Sequence, residues 1–253
     1  MSCPSASRRT AVVWEALRNA LDRRTEAAAR VALDVLDTGG GTGNFAVPVA
    51  RLGHRVTVVD PSPDALFGLE RRAAEAGVAD RVRGVQGDAH GLFDVVERGG
   101  YDVVFCHGVL EYVDDPAGSL GNLVAALRPE GGSVSLLAAG LGGAVLGRAL
   151  AGHFTEARQA LTGPDGRWGE GDPMPRRFST EELLGLVSAA GLELVSVHGV
   201  RIFADLVPGA LVDTEPDAAE ALARLEAAAS ELPAFQAVAS QLHVLAEVRY
   251  HGH

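Results

Sequence analysis

Apolar positions change their spacing along the chain, and each change marks an element. Over 10–30 (TAVVWEALRNALDRRTEAAAR), Val13, Ala16, Leu17, Ala20 and Leu21 fall on one stripe at helical spacing, which predicts an N-terminal helix. The pattern then shortens to a compact apolar run, VALDVLD (31–37), read as a first strand. A glycine cluster follows, and then a helix from about Asn44 to Leu52. HRVTVVD (54–60) predicts a second strand, and Ser62 to Ala76 a helix stopped by Gly77. RVRGVQG (81–87) and YDVVFC (101–106) predict the third and fourth strands, the latter apolar throughout, as in a strand buried on both faces. A helix over about 117–127 leads to a fifth strand, SVSLLAA (133–139). Strands that alternate with helices in this way imply a parallel sheet with right-handed crossovers.

Beyond the fifth strand the regularity lapses. Residues 140–177 read as two short helical stretches and the Gly/Pro-rich segment LTGPDGRWGEGDPMP. Order returns at FSTEELLGLVSAAGL, where Ser179 and Glu182 form a capping-box pattern and Gly191 ends the helix. LELVSVHGVRIF (192–203) reads as a strand, 215–239 as Ala/Glu-rich helix, and QLHVLAEVRY (241–250) as a final strand. The expectation is an α/β, Rossmann-like chain with a mostly parallel seven-stranded sheet and helices on both faces. It is read as one domain over 1–253, with a helical segment at 1–30. The stretches 140–177 and 203–240 follow strand ends, where open α/β sheets form their ligand crevice, and are expected to be substrate-side insertions.

The strongest motif is Asp37-Thr38-Gly39-Gly40-Gly41-Thr42-Gly43, directly between an apolar strand and a helix. Glycines there let the chain turn sharply and let a ligand approach main-chain N–H groups. Asp60 closes the second strand, where a carboxylate can accept from both hydroxyls of a ribose. Two ligands compete for this arrangement. Gly41-Thr42-Gly43-Asn44-Phe45-Ala46 can be fitted to a dinucleotide fingerprint, but Asp37 would then face a pyrophosphate and repel it. S-adenosylmethionine (SAM) carries an ammonium and a sulfonium and no phosphate, so an acid at Asp37 favours SAM. After the third strand, Asp88-Ala89 resembles the acidic-small pair that contacts adenine in SAM enzymes, the alternative being an ordinary turn aspartate.

After the fourth strand comes Cys106-His107-Gly108-Val109-Leu110-Glu111-Tyr112. The Asn/Asp-Pro-Pro-Tyr/Phe motif of base amino-methyltransferases is absent, which argues against N-methylation of adenine or cytosine. His107 can contact the cofactor or act as a base, or be a packed or capping histidine. Cys106 is assigned no chemistry.

Composition narrows the classes further. The 253 residues carry a formal charge of -11, which argues against binding nucleic acid through bulk electrostatics. No uncharged stretch is long enough to span a bilayer without interruption. Gly131 to Gly147 comes nearest, and its glycines suit a central strand followed by a glycine-rich loop. The N-terminus has no apolar signal core, and Cys3 and Cys106 read as reduced thiols, so a cytoplasmic location is expected. No metal site is expected, since His251 and His253 are the sole histidines with ligand-like spacing and lie in the tail. Oligomeric state has no signal.

The glycine loop, the His-Gly-Val-Leu-Glu segment and the last third of the chain together resemble the bacterial tRNA 5-carboxymethoxyuridine methyltransferases, a class I SAM-dependent family. Arg9 and Trp14 resemble its N-terminal Arg-x-x-x-x-Trp helix, and Gly199-Val200-Arg201-Ile202-Phe203-Ala204-Asp205 resembles its Gly-Val-Arg-Val-Phe-x-Asp segment. Leu242-His243-Val244 resembles its closing strand. The resemblance implies a SAM-dependent enzyme that esterifies the carboxylate of a modified wobble uridine. It places Arg9, Gly39, Gly40, Asp60 and His107 at the cofactor, beside Asp37, Gly41, Gly43, Asp88 and Ala89. A carboxylate acceptor is already ionised and needs a cation to orient it. Arg201 is the first candidate, with Arg176 or Arg177 second, against structural readings as a salt bridge and as solvated loop charges. Arg9 could equally be an exposed helix-start residue. The second possibility is a small-molecule O- or C-methyltransferase acting on a metabolite or natural product; if its acceptor is a hydroxyl, a base becomes useful and His107 is nearest. A SAM-binding module without catalysis is the third possibility.

Overall fold

The computed structural model describes residues 11–213 and 217–248. Helix α1 (Ala11–Ala28) buries Val13, Leu17, Ala20 and Leu21 along the expected stripe. Strand β1 (Asp34–Thr38) starts three residues later than its apolar run. Leu33 gives its N–H to the ring Nδ1 of His54 at 3.2 Å instead of to a ladder, and Val31 is almost fully exposed. Helix α2 (Ala46–Arg51), β2 (Arg55–Asp60), α3 (Pro63–Glu75) and β3 (Val82–Gln86) follow in turn. Ser62 caps α3, its side chain accepting from Ala65 N–H, and Gly77 just beyond takes a φ of +71°, the left-handed stop expected of it.

Strand β4 (Val103–His107), α4 (Pro116–Ala126) and β5 (Ser133–Ala139) complete the alternating part. β1 pairs in parallel with β2 and β4, and β2 in parallel with β3. The register sets Asp37 beside Val58 and Phe105, and Asp60 beside Gln86. Every residue of β5 is buried, as an apolar run in a covered parallel sheet requires.

Helices α5 (Leu141–Leu150), α6 (Phe154–Thr162) and α7 (Thr180–Ala189) precede β6 (Leu192–Val200). Helices α8 (Gly209–Asp213), α9 (Ala218–Ala229) and α10 (Pro233–Gln236) lead to β7 (Gln241–Val248). The seven strands lie in the order β3-β2-β1-β4-β5-β7-β6. The chain divides into two compact units. The larger holds Arg18–Leu136, Leu186–Val195 and the chain from Leu245, and the smaller holds the chain up to Leu17, Leu137–Gly185 and Ser196–Val244.

Three local expectations needed correction. The glycines after β5 sit in helix α5 rather than a loop. A Cβ on Gly142 would meet the Ala237 carbonyl oxygen at 1.8 Å, so the glycines serve backbone-to-backbone packing. The described part of the stretch expected as helix over 215–239, from Asp217 on, holds two helices, because Pro233 has no N–H to continue α9 and its predecessor Leu232 is extended. The strand expected over 192–203 stops at Val200, because Arg201 adopts a φ of +57° and turns the chain. The capping box of α7 is as expected: Ser179 N–H donates to Glu182 Oε2 at 2.7 Å, and Glu182 N–H to Ser179 Oγ at 3.2 Å.

Candidate functional site

In the larger unit, the end of β1 runs into the glycine loop, and the loop is tied down from three sides. Gly39 N–H donates to the Val59 carbonyl at 2.7 Å, and Gly43 N–H to the Gly40 carbonyl at 2.9 Å. Arg72 from α3 donates to Thr42 Oγ1 at 3.0 Å and to Asn44 Oδ1 at 2.7 Å. Gly39 and Gly43 have φ values of +68° and +80°, and at either position a Cβ would fall 2.3 Å from a neighbouring side chain, Val109 or Leu69. Glycine is therefore required there both for conformation and for space.

Asp37 is buried beneath this loop, and its Oδ2 has no hydrogen-bond partner among the described residues. Burial, with the charge of Asp60 adding to it, pushes its carboxyl up to about 7. A buried carboxyl with one bare oxygen calls for a cation or a donor. A Cβ on Gly40 would lie 2.6 Å from that oxygen, so the glycine keeps the approach open. Asp60 is also buried, at the end of β2. Its Oδ2 accepts the Gly41 N–H and its Oδ1 the Ser62 N–H, both at 2.9 Å. Each oxygen retains acceptor capacity, which suits a pair of adjacent hydroxyls. An ammonium at Asp37 and a ribose diol at Asp60 fit SAM, whereas a pyrophosphate against the buried acid would be repelled.

The remaining expected cofactor residues fall nearby in the fold to different extents. Ala89 is buried and Asp88 exposed. Asp88 Oδ1 accepts from the N–H groups of His90 and Gly91 at 2.9 and 2.8 Å, so one oxygen shapes the turn and the other is available to a ligand. His107 ends β4 with its Nε2 sharing a 2.8 Å hydrogen bond with Ser135 Oγ. Its ring meets Phe45 edge-on at 4.5 Å and stacks on Phe105 at 5.4 Å. Burial pushes this imidazole down to about 3, so it is neutral at physiological pH. The Cys106 thiol is buried and pushed up to about 12, again by burial, which keeps it protonated and unreactive. Arg9, His251 and His253 lie outside the described residues.

The arginine candidates belong to the smaller unit and are all engaged. Arg201 donates from Nε and Nη2 to Asp205 Oδ1, the former at 3.0 Å, and remains about one-third exposed. Among the described residues Arg176 makes one long side-chain contact, 3.4 Å, to Asp165. Arg177 is no solvated loop charge: it is buried, grips Asp172 bidentately at 2.7 and 3.0 Å, and stacks on Trp168. That pairing removes it from the acceptor candidates. Two further residues had no local signal in the sequence. Arg72 clamps the glycine loop from 28 or more positions away. Glu226 collects the N–H groups of Ile202, Phe203 and Ala204 at 2.8–2.9 Å, which a continuing strand would have paired elsewhere.

Among the described residues no group of three or more His, Cys, Asp or Glu could hold a metal ion, and no helix is long and apolar enough to cross a membrane.

Residues 36–133, which contain the glycine loop, Asp60, Asp88 and His107, match the methyltransferase domain family. Over 238 residues the chain is 29% identical to the tRNA 5-carboxymethoxyuridine methyltransferase of Escherichia coli O157:H7, covering 94% of this chain and 87% of that protein. A ubiquinone biosynthesis O-methyltransferase of Methylobacterium nodulans is 36% identical over 171 residues, 67% of this chain and 63% of its own. Among solved structures, a SAM-dependent methyltransferase from Methanosarcina mazei superposes with a TM-score of 0.58 at 16% identity, over 87% of this chain and 93% of that one. The cyclase SpnF superposes at 0.59 and 21% identity, over 90% and 80%. A shared fold at these identities speaks for architecture and leaves chemistry to the site.

Proposed function

We propose that this chain, a SAM-dependent methyltransferase, esterifies a carboxylate, that of 5-carboxymethoxyuridine in tRNA. What favours a carboxylate at the site itself is that His107 is packed between Phe45 and Phe105 with its Nε2 taken up by Ser135 Oγ at 2.8 Å. The side chain nearest in sequence to serve as a base is neutral and, at about 3, too weak to take a proton from a hydroxyl. An acceptor that arrives ionised needs no such base. The similarity to the tRNA enzyme over nearly the whole chain supports the same reading.

SAM supplies a methyl group already activated on a sulfonium, so the chain's task is alignment and exclusion of water. In this reading Asp37 holds the ammonium end, Asp60 the ribose hydroxyls, and the Asp88–Ala89 turn the adenine, over the backbone of Gly39 to Gly43. Neutral His107, held by Ser135 and two phenyl rings, walls the site without adding charge beside an anionic nucleophile. Arg201 spends two of its five donors on Asp205, and the remaining N–H groups can orient a carboxylate. Attack by the carboxylate oxygen forms the C–O bond as the C–S bond breaks, leaving an ester and a neutral thioether. No proton moves, and an anion and a cation are both neutralised.

The test is incubation of the enzyme and SAM with tRNA carrying 5-carboxymethoxyuridine, followed by nucleoside mass spectrometry. A one-methyl gain that alkaline hydrolysis removes is expected. An unmodified nucleoside, with S-adenosylhomocysteine released on a carboxylated or hydroxylated small molecule instead, would reject it. The charge of -11 favours that second reading, a small-molecule acceptor.

A further inference from the structure

The start of β1 carries a cluster of charges that the methyl-transfer reading leaves unused. Asp102 is fully buried just before β4 and accepts from Asp34 N–H at 2.9 Å. It is shared by Arg30 at 3.4 Å and Arg128 at 3.3 Å, while Arg128 also reaches Asp34 at 2.7 Å. Arg55 completes the network on Asp34 at 2.8 Å. Beside it opens a cavity of about 440 Å³, lined by Arg24, Arg30, Arg128, Asp102 and Glu130 together with two alanines of α1. That volume lies within the roughly 300–1,000 Å³ of small-ligand pockets.

Arg24 is the odd member. Its Nε, like that of Arg128, is buried without a hydrogen-bond partner, and unlike Arg128 it forms no ion pair among the described residues. Gly131, with a φ of +112°, admits it: a Cβ there would lie 3.1 Å from the Arg24 Nη1. Four guanidiniums, of Arg24, Arg30, Arg55 and Arg128, meet three carboxylates, of Asp34, Asp102 and Glu130. The cluster is therefore left with one positive charge, in a chain whose formal charge is -11.

We propose that this cavity is a second ligand site, one that takes a phosphate-type oxyanion between Arg24 and Arg30. It lies at the beginning of β1, whereas the glycine loop lies at its end, on the order of 15 Å away along a five-residue strand. The bound anion would give Arg24 the charge partner that Arg128 already has in Asp34 and Asp102, and would not touch the methyl-transfer site. The chemistry is a phosphoryl group, borne either by a free small molecule or by an RNA backbone.

Calorimetric titration of the full chain with inorganic pyrophosphate, and separately with an unmodified RNA oligonucleotide, tests this. Saturable binding of at least one probe is expected, weakened about tenfold or more by Arg24→Ala and by Arg30→Gln. SAM titration of the same variants should give wild-type affinity, showing that each is folded. Pyrophosphate binding alone assigns the site to a small molecule, and oligonucleotide binding alone to a polymer. Binding that neither variant weakens, or no saturation by either probe below about 10 mM in the wild type, overturns the proposal.

Discussion

A Cβ on residue 40 would stand 2.6 Å from the carboxyl of Asp37, so the buried acid and the glycine above it exist as a matched pair. Gly40→Ala must either displace the carboxyl or shift the loop. Overpacking of this kind costs about 1–3 kcal/mol. SAM affinity measured by calorimetry should fall at least about tenfold, a change of ~1.4 kcal/mol, while the far-ultraviolet circular dichroism stays native. Unaltered SAM affinity in this variant would remove the Asp37 pocket from the cofactor site.

The position of Asp37 on the pH scale gives a second expectation. Burial first, and then Asp60, raise its carboxyl to about 7, above the ordinary carboxylate value of 3.8. A raised acid favours the folded state where it is protonated in that state and ionised in the unfolded chain. The unliganded protein should therefore gain stability as pH falls from about 8 toward 4, as far as this group alone is concerned. SAM, whose ammonium favours the ionised acid, should bind more weakly below pH 7, approaching tenfold per pH unit, with proton release on binding. Asp37→Asn should raise the melting temperature without ligand and lower SAM affinity. A dissociation constant for SAM that is flat from about pH 5.5 to about pH 8, a range that spans that value, would contradict this.

Those two residues were legible from sequence because they sit within one strand-turn-helix unit whose apolar run and glycines are adjacent. The same holds for Gly77, for the Ser179–Glu182 box and for most strand centres, all set by contacts a few positions apart. The missing parts are long-range. Nothing local to Ile202 signals that Glu226 will take its N–H, and the apolar pattern through Phe203 reads as uninterrupted strand. Arg177 looks like a loop charge until Asp172 and Trp168 fold over it. Strand starts slipped for a related reason: apolar character extends to Val31, but the ladder begins only where β2 and β4 are present to pair.

The Arg177–Asp172 pair predicts a stability defect. Burial opposes ionisation of Asp172, but hydrogen bonds from Arg177 and from the N–H groups of Met174 and Trp168 outweigh it and hold the carboxyl below its ordinary range. Its stabilisation is present above the unfolded value near 4 and is lost as pH falls through the lower folded value. Removing one partner of a buried pair costs about 3–5 kcal/mol, so Arg177→Ala should lower the denaturant midpoint strongly. Arg177→Lys should rescue little, since an ammonium can neither bond bidentately nor stack on Trp168 as a planar fork does. Wild-type stability in Arg177→Lys would show the pair to be a simple charge contact.

Glu226 offers the sharpest separation between cofactor and acceptor. It is the acceptor for three consecutive N–H groups directly after Arg201, whose left-handed backbone is costly for a side-chain-bearing residue. Glu226→Ala strands those donors, at about 1–3 kcal/mol each where water cannot replace the carboxylate. The turn that carries the Arg201–Asp205 pair should relax, while the glycine loop of the larger unit keeps its own hydrogen bonds. SAM affinity should therefore stay near wild type, and kcat/KM for the methyl acceptor should fall by about tenfold or more, or ~1.4 kcal/mol. Glu226→Gln should recover part of this, because an amide oxygen still accepts at one of the two positions. Equal loss of SAM binding and acceptor turnover in Glu226→Ala would indicate general unfolding, and unchanged turnover would free the 201–205 turn from any part in acceptor binding.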